Sequence, residues 1–134
     1  MNTEVKEWIL RAKSNLEFAK KVESKDFFIN GGYIFIEEAC FELQQSVEKS
    51  IKALMINYKI QIPKTHSISE LIARLEENKV NVPENIKLAK ILTEYAVETR
   101  YPNFEEPLNE DDFKEALEIA EKVHNWAIAV RSKD

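Results

Sequence analysis

The sequence predicts an all-α domain, an up-and-down bundle of four to five helices. Apolar residues recur at three- and four-residue spacing along most of the chain, the period of one helical face. Two glycines and four prolines among 134 residues leave room for long helices. Apolar residues at 44% and charged residues at 32% fit a folded chain with a core and a solvated surface.

The first helix is predicted from about Glu4 to Lys25. Val5, Trp8, Ile9, Ala12, Leu16, Ala19 and Val22 line one face, and Glu4 and Glu7 complement the helix dipole. Asn30-Gly31-Gly32 marks a turn. The second helix is predicted from Tyr33 to Tyr58, with Ile36, Cys40, Leu43, Val47, Leu54 and Tyr58 on one stripe and Ile51 beside it. Tyr33-Ile34-Phe35-Ile36 also reads as a short strand, but the helical period continues beyond it. The stripe suits either packing within one chain or a dimer seam. Ser67 is the predicted cap of a third helix, with Glu70 at the capping-box position and Ile68, Leu71, Ile72 and Leu75 inward. Asn78 to Asn81 is a connection. Pro83 fits the first turn of a fourth helix that carries Ile86, Ala89, Leu92 and Ala96 and stops near Arg100, because Pro102 restricts Tyr101. Asn109 caps a fifth helix, led by Glu110, Asp111 and Asp112 and running to about Val130 on Phe113, Ala116, Leu117, Ala120, Val123 and Ala127. No composition shift separates two domains, so residues 1–134 read as one domain.

The formal net charge of -5 disfavours broad attraction to nucleic acid without excluding a local basic site. A lone cysteine, Cys40, forms no internal disulfide. Charges at Glu4, Lys6, Glu7 and Arg11 break up any signal segment, and no stretch nears the roughly 20 apolar residues of a membrane span, so the expected compartment is the cytoplasm, without membrane contact. No phosphate loop, zinc-protease helix or nucleophile elbow is present. No cofactor and no metal site are expected, because His66 and His124 stand far apart in sequence. Cys40 reads as a small core residue.

Two segments are candidate ligand sites. Glu98-Thr99-Arg100-Tyr101-Pro102-Asn103 sets a guanidinium and a phenol at a helix end, suited to a phosphate and to a stacked base. Arg100 and Tyr101 equally suit holding the loop. Lys64-Thr65-His66-Ser67 offers Lys64 and His66 to an anion, and reads as well as a plain helix start. On the second helix, Glu38, Glu42, Gln45, Lys49 and Lys52 read as surface support, with Glu48 four residues before Lys52. Cys40, Leu43, Gln44 and Val47 are the candidate interface.

Four pieces carry a resemblance. They are Val5-Lys6-Glu7-Trp8 with Ala12-Lys13-Ser14-Asn15-Leu16; Glu38-Ala39-Cys40-Phe41-Glu42-Leu43-Gln44-Gln45-Ser46-Val47-Glu48-Lys49; Pro63-Lys64-Thr65-His66-Ser67; and Thr99-Arg100-Tyr101-Pro102-Asn103. In order and spacing they resemble the HEPN domain family of prokaryotes, the higher-eukaryote and prokaryote nucleotide-binding domain. The resemblance implies a helical bundle that forms a homodimer, with a cleft beside the second and fourth helices. It also implies a minimal nucleotidyltransferase as partner, in a toxin–antitoxin type of pair, and a nucleotide or RNA as ligand. Ribonuclease members of that family carry arginine, four to six residues, then histidine. After Arg100 those positions hold Glu105, Glu106 and Pro107, and Tyr101 stands where a polar residue is expected. The reading is therefore a noncatalytic or weakly active protein that dimerises and binds a nucleotide, RNA or the nucleotidyltransferase. The alternatives are a divergent metal-independent ribonuclease, using Arg100 and His66, and a purely structural dimerisation module.

Overall fold

Five helices follow one another in the computed structural model, which describes residues 2–96 and 108–131. They are α1 (Thr3–Lys21), α2 (Ile36–Asn57), α3 (Ile68–Glu77), α4 (Glu84–Lys87, continued as a 3-10 helix over Leu88–Ala96) and α5 (Glu110–Arg131). Among the described residues there is no strand, only an isolated bridge between Phe27 and Ile34. No helix among them is long and apolar enough to cross a membrane.

The helix α2 is central. It packs against α1, α3, α5 and the 3-10 segment, and is buried on most of its circumference. The apolar stripe read from sequence is covered, and so is a polar one: Gln44, Ser46, Glu48 and Ser50 are also buried. Each has a partner, as buried polar groups require. The Ser46 hydroxyl donates to the Ala12 carbonyl at 2.8 Å, and Ser50 Oγ lies 3.1 Å from His124 Nδ1. Val47 and Leu92 are fully buried, and Leu117 packs against the core. The surface-support reading of α2 holds in part. Glu48 pairs with Lys52, but Glu42 and Lys49 reach across to Asn15 of α1 instead of pairing along their own helix.

Three boundaries differ from those read in the sequence. First, α1 stops at Lys21, because the chain turns at Glu23, whose N–H donates to the Asp26 carboxylate at 2.7 Å. Second, α2 starts at Ile36 and not at Tyr33. The N–H groups of Tyr33 and Ile34 both donate to the Asp26 carbonyl, at 2.9 and 2.8 Å, and are spent before the helix begins. Third, α4 is one α-turn and then a 3-10 helix, with Pro83 capping it from just outside. Three residues per turn stack Ile86, Ala89, Leu92 and Tyr95 in one inward column, so Tyr95 joins the core while Leu88 stays exposed.

The helices α3 and α5 start at the caps that the sequence predicts. The Ser67 hydroxyl accepts the Glu70 N–H at 3.2 Å, and the Asn109 carbonyl side chain accepts the Asp112 N–H at 2.9 Å. After α2 and α3 the chain enters the left-handed region at Lys59 and Lys79, with φ of 58° and 66°. Ile60 then donates to the Met55 carbonyl and Val80 to the Leu75 carbonyl, at 2.8 and 3.1 Å, a Schellman closure at each end.

Candidate functional site

The segment before α3 builds one wall of a site. The Thr65 hydroxyl accepts the Ser67 N–H at 3.0 Å, and Ser67 caps α3, so His66 is held between two local turns. The Ile68 N–H donates to Thr93 Oγ1 at 3.0 Å, which ties this wall to the 3-10 segment. Between them lies an open groove of about 640 Å³, with His66 and Ser67 on one side and Lys90, Ile91, Thr93, Glu94 and Ala96 on the other.

Behind His66 stands Glu48. Its side chain is 4% exposed, that of His66 63%. His66 Nδ1 lies 3.1 and 3.2 Å from the two carboxylate oxygens. The same carboxylate accepts from Lys52 Nζ at 2.6 Å and Gln44 Nε2 at 2.8 Å. Burial pushes the Glu48 carboxyl up, but the hydrogen bonds from Lys52 and Gln44, the Lys52 charge and the His66 contact outweigh it and hold the group below its ordinary value. An ionised Glu48 therefore fixes the proton of His66 on Nδ1 and leaves Nε2, on the ring's other edge, for whatever enters the groove. Behind Glu48, the Lys52 ammonium sits 5.9 Å above the Trp8 ring. The sequence reading did not anticipate the role of Glu48. Its spacing to Lys52 was visible, but not its inward direction or its meeting with a histidine that follows it by 18 positions.

The expected ligand residues divide. His66 lines the groove, while Lys64 is exposed and does not line it. Arg100 and Tyr101 lie outside the described residues. Lys90 and Glu94, which the sequence reading did not single out, face His66 across the groove.

The expected interface residues lie inside the bundle of the single chain. Cys40, Leu43, Gln44 and Val47 are each 0% exposed within a single chain. The helices α1, α3 and α5 and the 3-10 segment pack on α2 within the one chain. The Cys40 thiol is pushed up to about 12, by burial first and then by the charges of Asp112 and Glu37, so it stays protonated and unreactive. It precedes Glu48 by eight residues on the same helix, about 12 Å away at 1.5 Å per residue. Among the described residues, no three His, Cys, Asp or Glu side chains group as a metal site would need.

The HEPN domain model matches residues 5–131 of the chain. Two crystal structures are similar to it. The archaeal HEPN homologue ST0689 is 30% identical, with a TM-score of 0.73, covering 95% of this chain and 97% of its own. TT1696 from Thermus thermophilus is 29% identical, with a TM-score of 0.76, covering 96% and 98%. No curated protein matches the chain.

Proposed function

This chain belongs to the HEPN domain family, and from that premise we propose that it binds a phosphate-bearing ligand, a nucleotide or an RNA, in the groove beside His66. One observation carries the reading: the His66 ring is held by a buried carboxylate on the wall of an open groove that Lys90 also lines. Glu48 orients the imidazole, so that its Nε2 edge and the Lys90 ammonium are both turned to one phosphate. Ile91 supplies an apolar surface for a base or ribose, and the Glu94 carboxylate disfavours a second negative charge beside it. Arg100, four residues beyond Ala96 in sequence, is proposed as a further phosphate ligand, with Tyr101 stacking on a base. In this reading the protein is noncatalytic or weakly active, acts as a homodimer, and works beside a minimal nucleotidyltransferase in a toxin–antitoxin type of pair.

The test is direct binding of a fluorescent nucleotide and a short single-stranded RNA. His66→Ala and Lys90→Ala should each weaken one of these about tenfold or more, since a charge-assisted hydrogen bond is worth roughly 1.5–3 kcal/mol. Unchanged affinity in both variants, with the helical content intact, would remove the groove from the function. Arg100→Ala should likewise weaken the phosphate-bearing ligand.

A second reading is favoured by the carboxylate–imidazole pair. It is the arrangement that lets a histidine take a proton from a 2′-hydroxyl and return it to a leaving oxygen. A divergent ribonuclease of this kind cuts RNA without a metal, and Glu48→Gln slows it while His66→Ala abolishes it. Absence of cleavage across a broad RNA panel would remove this reading and leave the binding one intact.

A further inference from the structure

The turn between α1 and α2 is well ordered by its own hydrogen bonds, yet it presents its apolar side chains to water. The Asp26 carbonyl accepts from Tyr33 and Ile34, and the Phe27 carbonyl accepts the Gly32 N–H at 2.9 Å. Phe27 is anchored in the core, its ring edge-on to Phe113 with centroids 5.3 Å apart. On this frame Phe28 is 50% exposed, Ile29 66%, Tyr33 90% and Phe35 57%. The rings of Phe28 and Phe35 meet outside the core, tilted 31° to each other with centroids 4.4 Å apart. A set of aromatic side chains on a backbone already fixed loses little further entropy on association, and aromatic anchors dominate binding faces.

The segments that flank this patch in sequence are rich in acidic residues. Glu37 and Glu38 follow Phe35 in the first turn of α2, and Glu23 opens the turn. Glu110, which accepts the Ser24 hydroxyl at 2.9 Å, and Asp111 begin α5. Lys25 is paired with Glu23 at 3.4 Å. A two-fold contact with a second copy would set these acidic residues against their own copies. Nucleic acid and anionic lipid are repelled for the same reason.

We propose that the Phe28–Phe35 knob is a docking face for a protein segment with an aromatic or aliphatic anchor flanked by lysines and arginines. The anchor covers the Phe28 and Phe35 rings and Tyr33, and the flanking cations meet Glu37 and Glu38.

The probe is a displayed library of short random peptides, selected on immobilised wild-type protein. The enriched peptides should carry an aromatic or aliphatic residue between basic ones. Synthetic copies should bind about tenfold more weakly to Phe28→Ser and to Tyr33→Ser, and several-fold more weakly to a Glu37→Lys/Glu38→Lys double variant. Tyr33 stands clear of the core, so its variant reads the face even if Phe28→Ser disturbs the turn. The proposal fails if no such peptides are enriched or if Tyr33→Ser binds them as wild type does. It also fails if sedimentation reveals self-association that Tyr33→Ser abolishes, because a second copy would then be the occupant.

Discussion

His124 and Glu48 are ionisable side chains that the packing of α2 removes from water, with different consequences. His124, 4% exposed, meets only the Ser50 hydroxyl as a hydrogen-bond partner among the described residues. Burial lowers its pKa below the ordinary 6.5, the charge of Lys13 lowers it further, Glu17 opposes, and Arg131 and Lys20 add to the lowering. The folded state thus favours the neutral ring, and protons bind the unfolded chain more tightly. Stability from this group is complete above about pH 6.5 and falls as pH drops through the lowered folded value. The urea midpoint should therefore be lower at pH 5.5 than at pH 7.5, and His124→Gln, which keeps a polar contact for Ser50, should shrink that difference. An equal pH dependence in wild type and variant would clear His124 of the effect. Glu48 acts in the same direction but further down: its lowered pKa contributes stability above the ordinary carboxyl value of 4.5, and that is lost as pH falls through the folded value. Much of this was hidden in the sequence. The four-residue step from Glu48 to Lys52 was legible, yet such a step looks the same on a solvated face and on a buried one. Glu48 lies on the covered side of α2, and its meeting with His66, 18 residues further on, leaves no periodic signal.

Turns and helix ends follow backbone conformation more closely than side-chain pattern. Gly32 is buried, and a Cβ there would collide with the Lys25 oxygen and with the Asp26 carbonyl, which the turn's hydrogen bonds hold in place. Gly32→Ala should cost about 1–3 kcal/mol in thermal or urea melts, the range for overpacking a rigid site. The reverse case is Lys79, which holds φ of 66° after α3 with an exposed side chain. Lys79→Gly should gain roughly 0.5–1 kcal/mol, because glycine adopts that conformation without the Cβ penalty and the Schellman closure keeps its hydrogen bonds. The gain is kept modest by glycine's larger freedom in the unfolded chain. A loss on Lys79→Gly would mean that the lysine side chain contributes a contact of its own. The Asn30-Gly31-Gly32 turn and the Ser67 and Asn109 caps were legible because each is a local rule about a few residues. The late start of α2 was not, because Asp26 takes the N–H groups of Tyr33 and Ile34 by folding back from earlier in the chain. Nor was the 3-10 winding of Leu88–Ala96, since a column spaced by three is also compatible with an α-helix stripe.

Periodicity says which face of a helix leaves water, but not what covers it. For α2 that difference decides between a seam joining two chains and the axis of one. The structure surrounds Leu43 with the rest of a single bundle: α1, α5 and the 3-10 segment all pack on its helix, and it belongs to the main core cluster. Leu43→Ala should then act as a core truncation. It should cost about 2–5 kcal/mol, the range for removing a buried leucine where the surroundings only partly collapse. At a few degrees per kcal/mol, the melting temperature should drop by roughly 10 °C. Sedimentation velocity should meanwhile give the same association state for variant and wild type wherever the variant is folded. A seam residue would behave the opposite way: its loss would dissociate the protein while leaving each chain's own melt little changed at low concentration. Finding that second pattern would mean that the helices around α2 do not close its stripe in solution. The exposed surface of the chain is thus left to carry any dimer, and Leu43→Ala separates that possibility from the packing of the core.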